Sequence, residues 1–171
     1  MTVNYGFVIL PLVRIKTNMN DIQKIFVETV GQLQSWLNDN YAQKESVWLV
    51  KWKKGFSQTY ISYDEIVDEL LCFGWVDSLP RKLDDKKTML RISPRNPKSN
   101  WSKVNKGKVD RLVKDGKMEE PGLNVVEKAK NNGAWSFLDD VEKLIIPDDF
   151  EAAFRINTKA KYYYERFPSS S

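Results

Sequence analysis

Two β-prone runs, residues 76–83 and 88–93, flank the polar turn Asp84-Asp85-Lys86-Lys87, and the stretch Ser93-Pro94-Arg95-Asn96-Pro97-Lys98 follows at once. The runs read as the two arms of a hairpin, with Pro80 confining the first arm to a sheet edge. The two prolines after it restrict themselves and the residues before them, so neither strand nor helix continues through 93–98. A stiff loop at this point divides the chain. The strand signals all lie before it, interspersed with helices, and the chain after it reads as helical.

Upstream, residues 3–16 are rich in Val, Ile, Leu and Phe and read as strand, interrupted at Pro11. A helix capped near Asn20 is then expected, with Ile22, Ile25, Phe26, Thr29, Val30, Leu33 and Leu37 recurring at three and four along one stripe. VWLVKWK, residues 47–53, reads as strand. Ser62 with Glu65 is a capping-box pattern, and the helix it opens carries Ile66, Val67, Leu70 and Leu71 and stops near Gly74.

Downstream, a helix is expected from Ser99 or Asn100 to Asp115, stopped by Gly116. Its inner side takes Trp101, Val104, Val109, Leu112 and Val113, and its outer side Lys103, Lys106, Lys114 and Lys117, with Asp110 and Lys114 as an i,i+4 pair. A second helix opens at Glu119-Glu120-Pro121, closes at Gly133 and faces inward with Leu123, Val126 and Ala129. Shorter helices follow, one ending before Pro147, one capped by Asp148 or Asp149, and one capped by Thr158 with Tyr162, Tyr163 and Phe167. This order predicts one α+β domain over residues 1–171, with a small antiparallel sheet and a predominantly helical second half. The tail Ser169-Ser170-Ser171 is expected to fray.

Composition narrows the function. The chain has no histidine, which removes histidine triads, histidine general bases and histidine metal sites, and its one cysteine, Cys72, excludes an intrachain disulfide and multi-cysteine clusters. No cofactor is implied. The run 7–13 lacks the preceding basic residues of a signal peptide and is followed by Arg14 and Lys16, and no run approaches the roughly 18 to 20 apolar residues of a membrane span. A cytoplasmic protein without membrane insertion is the expectation. Residues 81–117 hold thirteen Lys/Arg against four Asp/Glu, a local excess of +9 within a chain of net +4, which points to an anionic small molecule, a protein partner or a nucleic acid.

The candidate binding residues are Trp75, Asp77, Arg91, Arg95, Ser99, Trp101, Ser102 and Asn105. A helix N-terminus presents free N–H groups and partial positive charge, so arginines and serine hydroxyls beside it make a place for phosphate or carboxylate, and the tryptophans offer stacking faces. The competing account of the same residues is structural: serine as cap, arginines paired with Asp77, Asp84 or Asp85, and tryptophans in the core. Two alternatives assign the function elsewhere. Lys103, Lys106, Lys114 and Lys117 would track a nucleic-acid backbone, or Asp77 would act as the base of a histidine-free enzyme. A non-enzymatic binding module is the primary reading.

The segments WLVKWKK (48–54), LCFGWVD (71–77), Pro94-Arg95, SNWSKVN (99–105) and Gly116-Lys117-Met118 with Gly122 resemble the YdeI/OmpD-associated, or bacteriocin-protection, family of bacteria and archaea. The similarity extends over about residues 28–167. It implies no established activity. The family's names imply a link to outer-membrane porins and to tolerance of membrane-active peptides.

Overall fold

The computed structural model describes residues 22–143 and 145–166. Strand β1 (Lys24–Phe26), helix α1 (Val30–Asn40), strand β2 (Val47–Trp52) and helix α2 (Tyr63–Cys72) lead into the hairpin β3 (Trp75–Lys82) and β4 (Lys87–Pro94). Helices α3 (Lys103–Lys114), α4 (Glu120–Asn131), α5 (Asp139–Glu142), α6 (Asp148–Ile156) and α7 (Thr158–Tyr164) complete the described residues. The fold is α+β, as expected, with a helical second half.

The sheet is mixed rather than antiparallel. Its order is β1-β2-β4-β3, with β1 parallel to β2 and the other pairs antiparallel. Parallel strands need a crossover, and α1 supplies it. The helix expected from Asn20 therefore begins only at Val30, because Ile25 and Val27 alternate with exposed Phe26 and are buried in strand geometry. Thr29, read as part of the apolar stripe, caps α1 by accepting the Gln32 amide. Spacings of three and four among Ile22, Ile25 and Phe26 were compatible with helix, but β-branched alternation and pairing to β2 decide for strand. The strand expected over 3–16, the cap at Asn20, and Phe167 with the serine tail lie outside the described residues.

β3 lies at the edge, as Pro80 requires, and carries a bulge between Asp77 and Pro80. Ser62 and Glu65 complete the capping box reciprocally, and Gly74 ends α2 at φ +73°.

The core lies on one side of the sheet. Ile25, Val47, Leu49, Leu90, Ile92 and Trp75 face α1 to α4, meeting Leu33, Trp36, Leu37, Ile66, Leu70, Val109 and Leu112. Trp36 and Trp75 pack edge to face at 5.4 Å, a geometry the ring quadrupole favours. In α3 the helix starts later than expected: Ser102 Oγ accepts the Asn105 amide as cap, while Ser99 sits in a turn closed on Asn96. Trp101 precedes the helix and donates its amide to the Ala134 carbonyl. Val109 and Leu112 are buried as expected, but Val104 and Val113 face solvent, and so does Leu123 of α4, whose inner face is Gly122, Val126 and Ala129. The cap of α7 is Asn157, not Thr158. Asp148 and Asp149 fall in the first turn of α6, and Pro147 precedes it. No described helix is long and apolar enough to cross a membrane.

Helix α4 docks unusually closely on the end of α2. A Cβ built on Gly122 would stand 2.2 Å from the Cys72 carbonyl oxygen and 2.6 Å from that of Leu71. Backbone on both sides leaves no flexible group to yield. Gly122→Ala is expected to destabilise the protein by about 2 kcal/mol or more, whereas Gly31→Ala, with open space around it in α1, is expected to stabilise by up to about 1 kcal/mol. Urea unfolding of the two variants checks the contrast.

Candidate functional site

The sequence-predicted residues divide between a buried joint and the surface. Trp75 is 0% exposed and donates its indole N–H to the Tyr41 carbonyl at 3.2 Å, so it is core, not a stacking platform. Trp101, at 1% exposed, is also buried. Arg95 stacks on the Trp101 ring at 3.8 Å and is itself 7% exposed. Its Nη2 donates to the Asn100 carbonyl at 2.7 Å, and its backbone N–H binds the Gly74 carbonyl. Nε and Nη1 are buried without a partner among the described protein groups. Burial pulls the Arg95 pKa down and the field of Asp77 pushes it back up, without threatening its charge at neutral pH.

Asp77, half-buried, accepts the Tyr63 hydroxyl at 2.7 Å. That hydrogen bond, with some burial, pushes the Tyr63 phenol up to about 12. A phenol therefore occupies one oxygen of the residue considered as a base. Arg91 lies apart: it is exposed, and its Nε and Nη2 donate to Ser46 Oγ at 3.1 and 3.0 Å. Ser102 and Asn105 meet only as cap and capped amide. The fold thus brings Arg95, Trp101 and the charge of Asp77 together, while the Trp75 indole is turned to Tyr41, the Arg91 guanidinium to Ser46 and the Ser99 amide to Asn96. The expected pairing of the arginines with Asp77, Asp84 or Asp85 does not form among the described ion pairs.

Cys72 is buried, and burial pushes its thiol up to about 12, with Glu69 and Asp68 adding to the effect. It has no thiolate character at neutral pH. Among the described residues no acidic or cysteine group of three or more could hold a metal ion. A cleft of about 250 Å³ between α1 and the start of α4 is lined by Tyr41, Phe73, Glu119, Glu120 and Asn124, none of them a sequence-predicted site residue.

The basic helix is less free than its sequence implies. Lys106 pairs with Asp139, Lys108 with Asp64 and Asp68, and Arg111 with Asp68. These bonds fasten α3 to α2 and to the start of α5. Burial alone would raise the Asp68 carboxyl, but hydrogen bonds from Arg111 and Lys108 outweigh it and hold the group below its ordinary value.

Sequence reasoning missed the far face of the sheet. By register, Lys24 lies beside Trp48, Phe26 beside Val50, Arg91 beside Trp48, Met89 beside Val50 and Lys87 beside Trp52. Trp48 and Val50 are buried yet stand outside the helix-covered core cluster. This second layer is aromatic and cationic. Lys87 Nζ stands 4.6 Å from the Trp52 ring centroid and 5.8 Å from that of Phe26, and the Arg81 guanidinium lies 5.3 Å from the Trp48 ring. Phe26 and Trp52 pack edge to face, and Glu28 accepts the Trp52 indole N–H at 2.7 Å. The sequence did carry the signal: in VWLVKWK, Trp48, Val50 and Trp52 share one parity, and Val47 and Leu49 share the other with Lys51 and Lys53, so the strand has apolar residues on both faces.

The Asp68 bonds make a pH-dependent prediction. Since the folded carboxyl is held below its ordinary value, its contribution is complete above the ordinary carboxylate range and is lost as pH falls through the folded value. Asp68→Asn is expected to cost about 1 kcal/mol at neutral pH, after allowance for solvent screening. Urea unfolding at neutral and strongly acidic pH should show the gap between wild type and variant closing in acid.

Neither a curated protein nor a solved structure matches the chain. A family model described as a domain of unknown function, DUF8412, matches residues 25–125. That span runs from β1 through the sheet, the basic hairpin and α3 into α4, more than half of the sequence, and the chain belongs to this family.

Proposed function

We propose that this chain is a non-enzymatic, cytoplasmic binding protein for an anionic partner, engaged by the outer layer of the sheet. The observation that carries the reading is the position of Lys87 and Arg81 over the rings of Trp52, Phe26 and Trp48. Lys87 is only partly exposed, and a cation held there on apolar rings attracts an anion more strongly than one in open water, because less solvent screens it, while the exposed Arg81 adds charge of the same sign. Lys24 and Arg91 extend the same sign across the face, against Glu28 beside Trp52 and Asp84 at 3.9 Å from Lys87. By contrast, three cations of α3 are already neutralised within the protein. This favours the hairpin over the helix as the working part of the basic segment 81–117. The resemblance to YdeI/OmpD-associated proteins supports extending the proposal to envelope stress and tolerance of antimicrobial peptides.

A long-chain polyphosphate is a suitable probe, since it carries charge and no rings. Titration at low and rising salt should give binding that weakens linearly in log K against log salt, with a slope that grows with the number of phosphates engaged. The Arg81→Gln, Lys87→Gln pair should reduce both the affinity and the steepness of that line, and the Lys114→Gln, Lys117→Gln pair should leave them nearly unchanged. The opposite ranking would move the function to α3.

A second reading keeps a small anion at Arg95, favoured by its two buried N–H donors without partners among the described groups. Buried unpartnered donors are costly and are ordinarily satisfied by something. Inorganic phosphate or citrate at about 100 times its dissociation constant should then raise the melting temperature by roughly 5 °C. Arg95→Lys, which keeps charge but not the planar fork, should abolish the rise. A rise that survives in Arg95→Lys, or no rise in wild type, leaves Arg95 as a structural element only.

A further inference from the structure

We infer that the partner of the outer sheet face is a single-stranded nucleic acid, whose bases stack on Phe26 and Trp52 while its phosphates meet Lys24, Arg81, Lys87 and Arg91. This rests on the reading of that face as the anion-binding surface and specifies its ligand.

Charge alone would admit any polyanion, so the rings decide between ligands. Phe26 is 40% exposed, Trp52 is half-buried, and both stand on neighbouring strands of the sheet rather than in loops. In the free protein Phe26 and Trp52 pack edge to face at 5.6 Å and Lys87 lies over Trp52, so a base stacks directly on the exposed side of Phe26 and reaches Trp52 by taking the place of Lys87, which turns to a phosphate. The hydrogen bond from Trp52 to Glu28 fixes the indole before any ligand arrives.

The cations are spaced to run alongside. Arg81 comes from the edge strand β3, Lys87 and Arg91 from β4 and Lys24 from the opposite edge, so they cross the sheet from side to side with the rings between them. Rings on β1 and β2 beside cations on β4 and β3 let a single strand bind without sequence preference, since every base has a π-face and every step a phosphate. A sheet of this width that stacks two or three bases on aromatic side chains is a workable arrangement in single-stranded RNA recognition; the comparison is one of geometry, not of chain topology. A duplex keeps its bases stacked within itself and offers this face only phosphates. An acidic peptide satisfies the cations and leaves the rings without a planar partner.

The test uses the whole chain and fluorescence anisotropy of a labelled oligothymidylate of about 12 nucleotides, an abasic sugar-phosphate oligomer of equal length, a duplex and oligoglutamate. Phe26→Leu keeps apolar volume and removes the ring, and unchanged circular dichroism certifies its fold. The expected result is that the oligothymidylate binds tightest, that Phe26→Leu weakens it by roughly fivefold or more without changing the salt slope, and that the abasic oligomer is indifferent to Phe26→Leu. If the abasic oligomer, duplex or oligoglutamate binds as tightly as the oligothymidylate, or Phe26→Leu has no effect, this inference is overturned while the anion-binding reading stands. If none of the four binds, or the Arg81→Gln, Lys87→Gln pair leaves binding unchanged, both fall.

Discussion

Strand β2 carries apolar residues on both of its faces, with the buried Lys51 on the inner one donating to the Ile61 carbonyl, while the core cluster that α1 to α4 help to build lies on only one of them. The inner parity, Val47 and Leu49, provides the surface on which the helices assemble. The outer parity, Trp48, Val50 and Trp52, must be shielded by other means, and the sheet uses the flat faces and long stems of Arg81 and Lys87 for the purpose. The arrangement removes most water from the indoles while keeping charged groups at the surface. A layer of this kind persists with no described helix packed over it.

The second joint of the structure is the stack of Arg95 on Trp101. Arg95 arrives on the stiff segment after β4, ties its backbone to Gly74 at the end of α2, and donates to Asn100 just before α3 begins. One residue thus connects the sheet, the end of α2 and the approach to α3. Trp101 continues the series through the Ala134 carbonyl and the Trp135 ring at 5.0 Å. The residues whose density suggested a binding cleft are in large part the fastening between the two halves of the fold.

Local chemistry was the legible part of the sequence. The capping box at Ser62, the stops at Gly74 and Gly116, the hairpin and the edge position signalled by Pro80 all depend on neighbours in the chain, and all were readable. What depends on distant partners was not. Whether residues 24–26 form strand or helix is decided by Val50 and Trp48, and whether Trp101 faces a ligand or the core is decided by Ala134 and Arg95. α3 starts after its cap Ser102, so Trp101 precedes it, and at about 100° per residue the buried side centred on Val109 and Leu112 leaves Val104 and Val113 on flanks that face solvent. For the site, the charge count located the basic region but could not tell spent cations from available ones, since Lys108 and Arg111 find Asp64 and Asp68 some forty residues away. Likewise, the double parity of VWLVKWK was visible, but which of its two faces the described helices cover is a property of the assembled sheet.

The edge strand β3 combines Pro80, which has no amide hydrogen to offer, with a bulge that breaks the ladder and with Arg81 and Lys82. Those features spoil it as a template for another chain. Sheets that grow into open-ended polymers do so by joining one molecule's left margin to the next molecule's right, which takes two usable margins per molecule. A molecule with one disabled margin can at most join a twin back to back and then has nowhere to continue. The proline, the bulge and the charges thus make this margin one on which a growing polymer has no purchase, beside an aromatic layer over which no described helix packs.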